Sequence, residues 1–370
     1  MVNKAYKFRI YPTKIQTELI HKTFGCARLV YNKMLYERKE HYKKHGVKLS
    51  ENTGYKKFKD EYEFLSEVDS QALAQEWTNL NKTYNSFFKG KGKVGFPKFK
   101  SKKNDKKSYT TCVSNKQNPA QRFEDGYLRL PKLGKLKIKQ HREIPDYYIL
   151  KAVTVSQSAS GKYYASVLFE YDFNVQEHKL DNVIGLDFSM SQLYLDSEGN
   201  KPNFPRFYRR GLEKLARMQR KLSKMKKFSS NYYRQKRKVA RYHEYISSCR
   251  KDFLHKQSRQ IINVYDGVAI ENLNMKDMSR ALKFGKSVHD NGWGMFVSFL
   301  DYKLKEQGKH LIKVDKWFAS SKTCSTCGTV NKELTISDRV YICACGNSLD
   351  RDVNAAINIK NEGIRLLNLA

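Results

Sequence analysis

Residues 4–11, KAYKFRIY, alternate apolar and polar positions, which predicts a strand. Pro12 and Thr13 then open a stretch with helical spacing, carried by Ile15, Leu19, Ile20, Phe24, Ala27, Leu29, Val30, Met34 and Leu35. A second helical pattern covers 68–89, through Leu73, Trp77, Leu80, Tyr84, Phe87 and Phe88, so residues 13–90 read as all-helical. From 108 to 172 the period returns to two. YLRLPKLGKLKIK, YILKAVTVSQ and KYYASVLFEYDF alternate, and SASG supplies a turn. This predicts a small barrel or a curved sheet. The strand at 4–11 is expected to join it, with the helical block as an insertion.

Near 181 the pattern changes again. NVIGLDFS is a short apolar strand ending on an aspartate, and LYLDSEGNK is a second strand with a turn. Residues 201–260 read as a long helical, basic stretch. GVAIENLN, at 267–274, is another apolar strand, ending on a glutamate. GWGMFVSFLDYKLKEQG reads as an amphipathic helix and HLIKVD as a further strand. In DVNAAINIKNEGIRLL, residues Val353, Ala356, Ile357, Ile364 and Leu367 share one face, so this segment reads as a helix. Strands alternating with helices predict an α/β second half.

Charge narrows the partner. The chain of 370 residues has 71 Lys+Arg against 37 Asp+Glu, a net charge of +34. Such an excess points to a polyanion, and nucleic acid fits because each neutralised phosphate releases counterions. The stretch 201–260 alone holds 20 Lys/Arg and three acidic residues, and its helices at 206–259 are expected to line the path of bound nucleic acid. The segment KGKGKVGFPKFKSKKNDKK, at 89–107, holds nine lysines, three glycines and Pro97, so it reads as a loop. Phe96 and Phe99 interleaved with lysine suit contact with both bases and backbone, and Lys98, Lys100 and Lys102 are candidate phosphate contacts. No segment approaches the roughly 20 apolar residues of a membrane helix. The opening MVNKAYKFRIYP lacks the apolar core of a signal peptide. Seven cysteines do not suggest a disulfide framework, and a reducing cytoplasm fits them. Cys26, Cys112 and Cys249 are isolated and read as small buried hydrophobes.

Two groups of residues carry chemistry. Cys324-x-x-Cys327 precedes Cys343-x-Cys345 by 15 residues, a spacing that can supply four thiolates to a tetrahedral zinc ion. Four thiolates close the site, so this zinc is structural. The second group is Asp187, ending VIGLD, Glu271, ending VAIE, and Asp352, where the chain after the cysteines enters a helix. They lie 84 and 81 residues apart, so only a fold brings them together. Singly, Asp352 reads as a helix cap and the other two as solvated strand ends. Together, beside a polyanion, they suggest a cage for two Mg²⁺ ions about 4 Å apart acting on a phosphodiester.

IGLDFS, AIENLNM and CSTCG…CACGNSLDRDVNAAIN resemble the three split RuvC motifs and embedded zinc ribbon of the TnpB (OrfB) family. These are transposon-encoded proteins related to the type V CRISPR effectors. YKFRIYPTKIQTELIHKTFGCARLVYNKML and GFPKFKSK resemble the family's opening segments, so the likeness spans nearly the whole chain. It implies an RNA-guided DNA endonuclease whose guide RNA derives from the transposon end and pairs with double-stranded target DNA beside a short flanking motif. It further implies a catalytic, Mg²⁺-binding triad of Asp187, Glu271 and Asp352. Asp352 is preferred to Asp350 because it directly precedes VNAA.

The implied architecture is multidomain. Residues 1–12 and 106–180 would form a β-barrel wedge domain, with a helical recognition domain at 13–105 inserted in it. Residues 181–322 and 347–370 would form an RNase H-like (RuvC) nuclease domain, with a zinc ribbon at 323–346. One subunit would serve one guide RNA in a prokaryotic cytoplasm, at the nucleoid, without membrane. Little chain follows the last helix, which bears on any tail function and not on catalysis. SVHDNGWGMF, at 287–296, reads either as part of a lid over the site or as a core helix. The rival functions are a guided DNA-binding repressor, a transposase joining DNA ends, and a zinc-ribbon RNA-binding protein of translation.

Overall fold

Alternation in the first strand, β1 (Val2–Tyr11), turns Phe8 and Ile10 to one face, and both are fully buried. The computed structural model describes residues 1–370 except 50–53, 91–93, 104–106, 115–118, 177, 282–284, 336 and 369–370. Its chain divides into two units, Met1–Phe173 and Asn174–Ala370.

In the first unit, β1 leads into α1 (Lys14–His45), α2 (Lys57–Glu61) and α3 (Ser70–Lys89) before the chain returns to strands. Thr13 and Gln16 form a capping box that starts α1 directly after Pro12, and Gly46 at φ 70° ends it. The later strands are β2 (Lys107–Cys112), β3 (Arg122–Glu124), β4 (Tyr127–Leu130), β5 (Gly134–Lys139), β6 (Ile149–Gln157) and β7 (Tyr163–Tyr171). They form a seven-stranded sheet in the order β2-β6-β7-β1-β5-β4-β3. β1 sits inside it, antiparallel to β7 and β5. Among the described residues β2 and β3 end the order, and the curled sheet encloses one core, with Gln121 before β3 donating to the Thr111 hydroxyl and Cys112 carbonyl of β2. One core lies on this sheet, and a second joins α1 to α3 around Val30, Leu35, Leu73 and Leu80.

The second unit is built on β8 (Val183–Ser189), β9 (Leu193–Asp196), α4 (Phe207–Ser223), α5 (Ser230–Val264) and β10 (Gly267–Glu271). It continues through α6 (Met275–Ala281), α7 (Gly285–Asn291), α8 (Trp293–Lys305), β11 (His310–Val314), β12 (Val340–Ile342), β13 (Ser348–Asp350) and α9 (Arg351–Asn368). The helical stretch expected over 201–260 comprises two helices, separated at 224–229, where Ser229 caps α5 through the Tyr232 N–H.

The sheet order is β11-β10-β8-β9, with β10 parallel to both its neighbours. Period two sorts its side chains cleanly. Ile184, Leu186, Val268 and Ile270 join the core with α5 and α8. Val183, Ala269, Ile312 and Val314 face the other way, onto Ile359 of α9. Contact with α9 is backbone-close at Gly185, where an added Cβ would collide with the Ala356 carbonyl and stand 2.7 Å from the Lys360 nitrogen. Gly185→Ala is therefore expected to destabilise this unit by about 3 kcal/mol, read as a lowered unfolding temperature. Gly294→Ala in α8, where nothing lies within 4 Å of the new Cβ, is the control and should change stability by no more than about 1 kcal/mol. No described helix is long and apolar enough to cross a membrane.

Candidate metal centre and carboxylate cluster

Two glycine-ended turns shape the cysteine cluster. Cys324 accepts from the Gly328 N–H at 3.0 Å, and Cys343 from the Gly346 N–H at 3.0 Å. Gly328 and Gly346 have φ of 77° and 91°, which a side chain would strain. The turns bring all four sulfurs within 4.8 Å of one another. Cys324 Sγ lies 3.7 Å from Cys345 Sγ, and Cys327 Sγ 3.6 Å from Cys343 Sγ. Four sulfurs each about 2.3 Å from one tetrahedral ion stand about 3.8 Å apart, so this set can hold zinc. Burial pushes the Cys324 thiol up, yet the N–H groups of Cys327 and Thr326 and the Asn347 amide outweigh it and hold it at about 6. The Cys324 thiol is thus ready to lose its proton to a metal at neutral pH.

The ribbon is stitched to α9 by amides that the cysteine spacing did not reveal. Asn354 and Asn358 are buried. Asn354 donates to the Thr323 carbonyl at 2.7 Å and accepts from the Ser325 N–H at 2.9 Å. Asn358 donates to the carbonyls of Ser320 at 2.8 Å and Thr323 at 2.6 Å. The signal available in sequence was a pair of asparagines four apart on the apolar side of VNAAIN, where amides cost unless bonded.

Asp187, Glu271 and Asp352 come together on one side of the sheet. Ile270 pairs with Leu186, so Glu271 and Asp187 are the next residues on adjacent parallel strands. Both follow the parity of Ala269 and Gly185, whose side faces α9. Asp352 lies in the first turn of α9, one turn before Ala356, which covers Gly185. Asp350 caps this helix, its Oδ1 accepting from the N–H groups of Asp352 at 2.9 Å and Val353 at 3.2 Å. Asp352 is thereby left out of the capping role, and its carboxylate meets the Arg351 guanidinium at 3.2 Å. Glu271 accepts from the Ser320 hydroxyl at 2.5 Å.

Asp187 is partly exposed yet closely surrounded by protein. Burial first, then the charges of Glu271 and Asp352, raise its pKa well above the carboxylate range; the Phe188 N–H and Arg351 oppose this incompletely. Negative charge thus converges here without full compensation, and a set of oxygen donors in this state fits a hard divalent cation. Among the described residues the cysteine set alone has all its donor atoms within 4.8 Å.

A raised folded pKa stabilises the protein below the unfolded value, and this contribution is lost as pH rises through the folded one. Metal-free protein is therefore expected to lose stability from the ordinary carboxylate range upward, and Asp187→Asn to lose less. Thermal unfolding in chelator across that range tests this; parallel curves would refute it.

The remaining predicted residues lie elsewhere. Lys98 and Lys102 are exposed in the first unit. Lys100 instead binds the buried Glu76 and lies 4.3 Å over the Tyr31 ring, while its backbone exchanges hydrogen bonds with Asn32. Lys39 reaches the exposed rings of Phe96 and Phe99 at 5.2 and 4.9 Å. Residues 91–93 and 104–106 of that loop lie outside the described residues. SVHDNGWGMF spans the end of α7 and the start of α8, joined by Gly292 at φ 77°: Trp293 and Phe296 are buried, and Asn291 donates to the Ser189 carbonyl at 2.9 Å, two residues past Asp187. Cys26 is buried, and Cys112 and Cys249 are half-buried.

Known proteins match this arrangement along its length. Family models match at 1–47 ("Helix-turn-helix domain", of OrfB_IS605), 166–282 (OrfB_IS605, "Probable transposase") and 293–359 ("Cas12f1-like, TNB domain"). A Streptomyces pristinaespiralis protein named "Putative RNA-guided DNA endonuclease" is 36% identical over 375 residues, covering 98% of this chain and 90% of the relative. "Putative RNA-guided DNA endonuclease InsQ" of Escherichia coli (strain K12) is 30% identical, covering 98% and 93%. The fold is similar to that of a protein chain in "Cryo-EM structure of the Cas12f1-sgRNA-target DNA complex", with a TM-score of 0.52 at 14% identity, covering 97% of this chain and 99% of that one. Near-full-length identity at this level, with the motifs in order, establishes that the chain belongs to the TnpB (OrfB, IS605) family.

Proposed function

We propose that this protein is an RNA-guided DNA endonuclease that hydrolyses target phosphodiesters beside a short flanking motif. The observation that carries the reading is the convergence of Asp187, Glu271 and Asp352 on one side of a parallel sheet, where burial first and then the charges of the other two raise the pKa of Asp187. The relatives' names and the family's fold support the same reading. The guide RNA would come from the transposon end, and one subunit would carry it.

The three carboxylates would hold two Mg²⁺ ions, and Cys324, Cys327, Cys343 and Cys345 one structural zinc. When bound, Mg²⁺ supplies charge stabilisation to the phosphodiester oxygens during hydrolysis. Asp187 would bind as its carboxylate, the form that burial and the two neighbouring carboxylates disfavour. Ser320 orients Glu271, and Arg351 orients Asp352. Exposed cations on α4 and α5, among them Lys214, Arg217, Arg234 and Arg241, would follow the backbone of a guide–target heteroduplex. Lys98 and Lys102 would meet phosphate from the loop before β2, and Lys100, tied to Glu76, would mainly position that loop. In this reading 1–12 with 106–180 is the wedge domain, 13–105 the recognition domain, 181–322 with 347–370 the RuvC domain, and 323–346 the zinc ribbon.

The test pairs the protein, co-expressed with its transposon-end RNA, with a plasmid library carrying a guide-matched target beside randomised bases. Mg²⁺-dependent cleavage enriched for one short motif is expected. Target binding without cutting, at any flank, would instead establish a guided repressor.

A further inference from the structure

The turn after β11 carries a residue that the chemistry above leaves unused. Trp317 is 82% exposed, whereas Trp293 is 3% exposed. The turn around it is anchored on both sides. Asp315 Oδ1 accepts from the Trp317 N–H at 2.8 Å, and the Asp315 carbonyl accepts from the Phe318 N–H at 3.1 Å. Phe318 packs inward against the core that includes Val314 and Ile359. Ser320 follows and bonds Glu271. With its neighbours fixed, the indole is held out in water, where its amphipathic ring can meet a ligand.

Its position defines that ligand. β11 ends on Val314, which pairs with Glu271. Trp317 stands three residues from Val314 and three from Ser320, and three extended residues span at most about 11 Å. Lys316 places its ammonium 4.6 Å from the indole centroid. A flat ring with a cation over one face, on the turn between Val314, which pairs with Glu271, and Ser320, which bonds Glu271, suits a base and its flanking phosphate.

We propose that Trp317, with Lys316, is a stacking platform for one unpaired base of the single DNA strand led to Asp187, Glu271 and Asp352. This rests on the nuclease reading for what lies beside it. Every base offers a π-face, so the contact carries no sequence preference.

Two measurements test it. In the full chain carrying Asp187→Ala, a labelled oligodeoxythymidylate is titrated in high salt, which weakens phosphate contacts. Quenching of tryptophan fluorescence is expected, and it should vanish with Trp317→Ala. Trp317→Ala and Trp317→Leu should each bind about tenfold more weakly, and Trp317→Phe nearly as well as the parent. Quenching that persists in Trp317→Ala, or Leu serving as well as Phe, would overturn the platform. In the cutting-competent complex, a single abasic site scanned along the target strand should slow cleavage about tenfold at one position near the cut, and Trp317→Ala should erase that contrast. Position-independent cutting by the parent sinks this inference and leaves the nuclease standing. Quenching that follows Trp317 without any cleavage sinks the nuclease and leaves the platform.

Discussion

Asp187→Asn is expected to reduce cleavage of a guide-matched target by at least about a thousandfold while leaving guide and target binding intact. The substitution keeps the shape of the side chain and removes one of three carboxyl groups, two on the sheet face that meets α9 and one in the first turn of α9. Loss of a metal-binding carboxylate removes several kcal/mol of charge stabilisation, and each 1.36 kcal/mol is tenfold in rate. The variant should stay folded, because the charge it removes is one that burial and two neighbouring carboxylates disfavour. Cleavage time courses beside gel-shift titrations separate the two effects. Cutting within tenfold of the parent would remove Asp187 from the mechanism. Asp352→Asn should behave like Asp187→Asn. Asp350→Asn should not, since Asp350 accepts hydrogen bonds at the start of α9 and asparagine caps helices nearly as well.

Cys324→Ser should have the second largest effect. The parent is expected to hold one zinc per chain by elemental analysis, and the variant to lose it. Metal-binding free energy in such a ribbon is largely its folding free energy. Cys324 is 2% exposed, and serine there replaces a thiolate ligand by a hydroxyl that stays protonated and binds zinc poorly. Unfolding the ribbon strips Asn354 and Asn358 of the Thr323 and Ser325 backbone groups they bond. Buried amides left unpaired cost about 1–3 kcal/mol each, which loosens the start of α9 and with it Asp352. Cleavage should therefore fall with zinc content, although no cysteine stands among the carboxylates. Asn358→Ala, which keeps the zinc and breaks only the stitch, should give a partial loss. Full activity in zinc-free protein would show that the ribbon does not position α9.

Much of this was legible along the chain. The alternation of KAYKFRIY, the spacing of the cysteines and the aspartate or glutamate closing each apolar strand are local patterns, and local patterns report local structure. The break between α4 and α5 was less visible, because KMKKFSS keeps the basic composition of its flanks and only the Ser229 cap marks it. Lys100 looked like its neighbours Lys98 and Lys102. Glu76, 24 residues away and buried, is what sets it apart.

The choice between Asp350 and Asp352 rested on family likeness at the level of residues; in the structure Asp350 accepts hydrogen bonds at the start of α9. Ser320 on Glu271, Asn358 on Thr323 and Phe318 beneath Trp317 had no counterpart in periodicity. Strand and helix periods and metal-ligand spacing are set by neighbours a few residues apart, so composition and order sufficed for them. Which face of the sheet carries Asp187 and Glu271, and how close α9 brings Asp352, depend on register between strands separated by some 80 residues and on the bare backbone of Gly185, and only packing in three dimensions decides those.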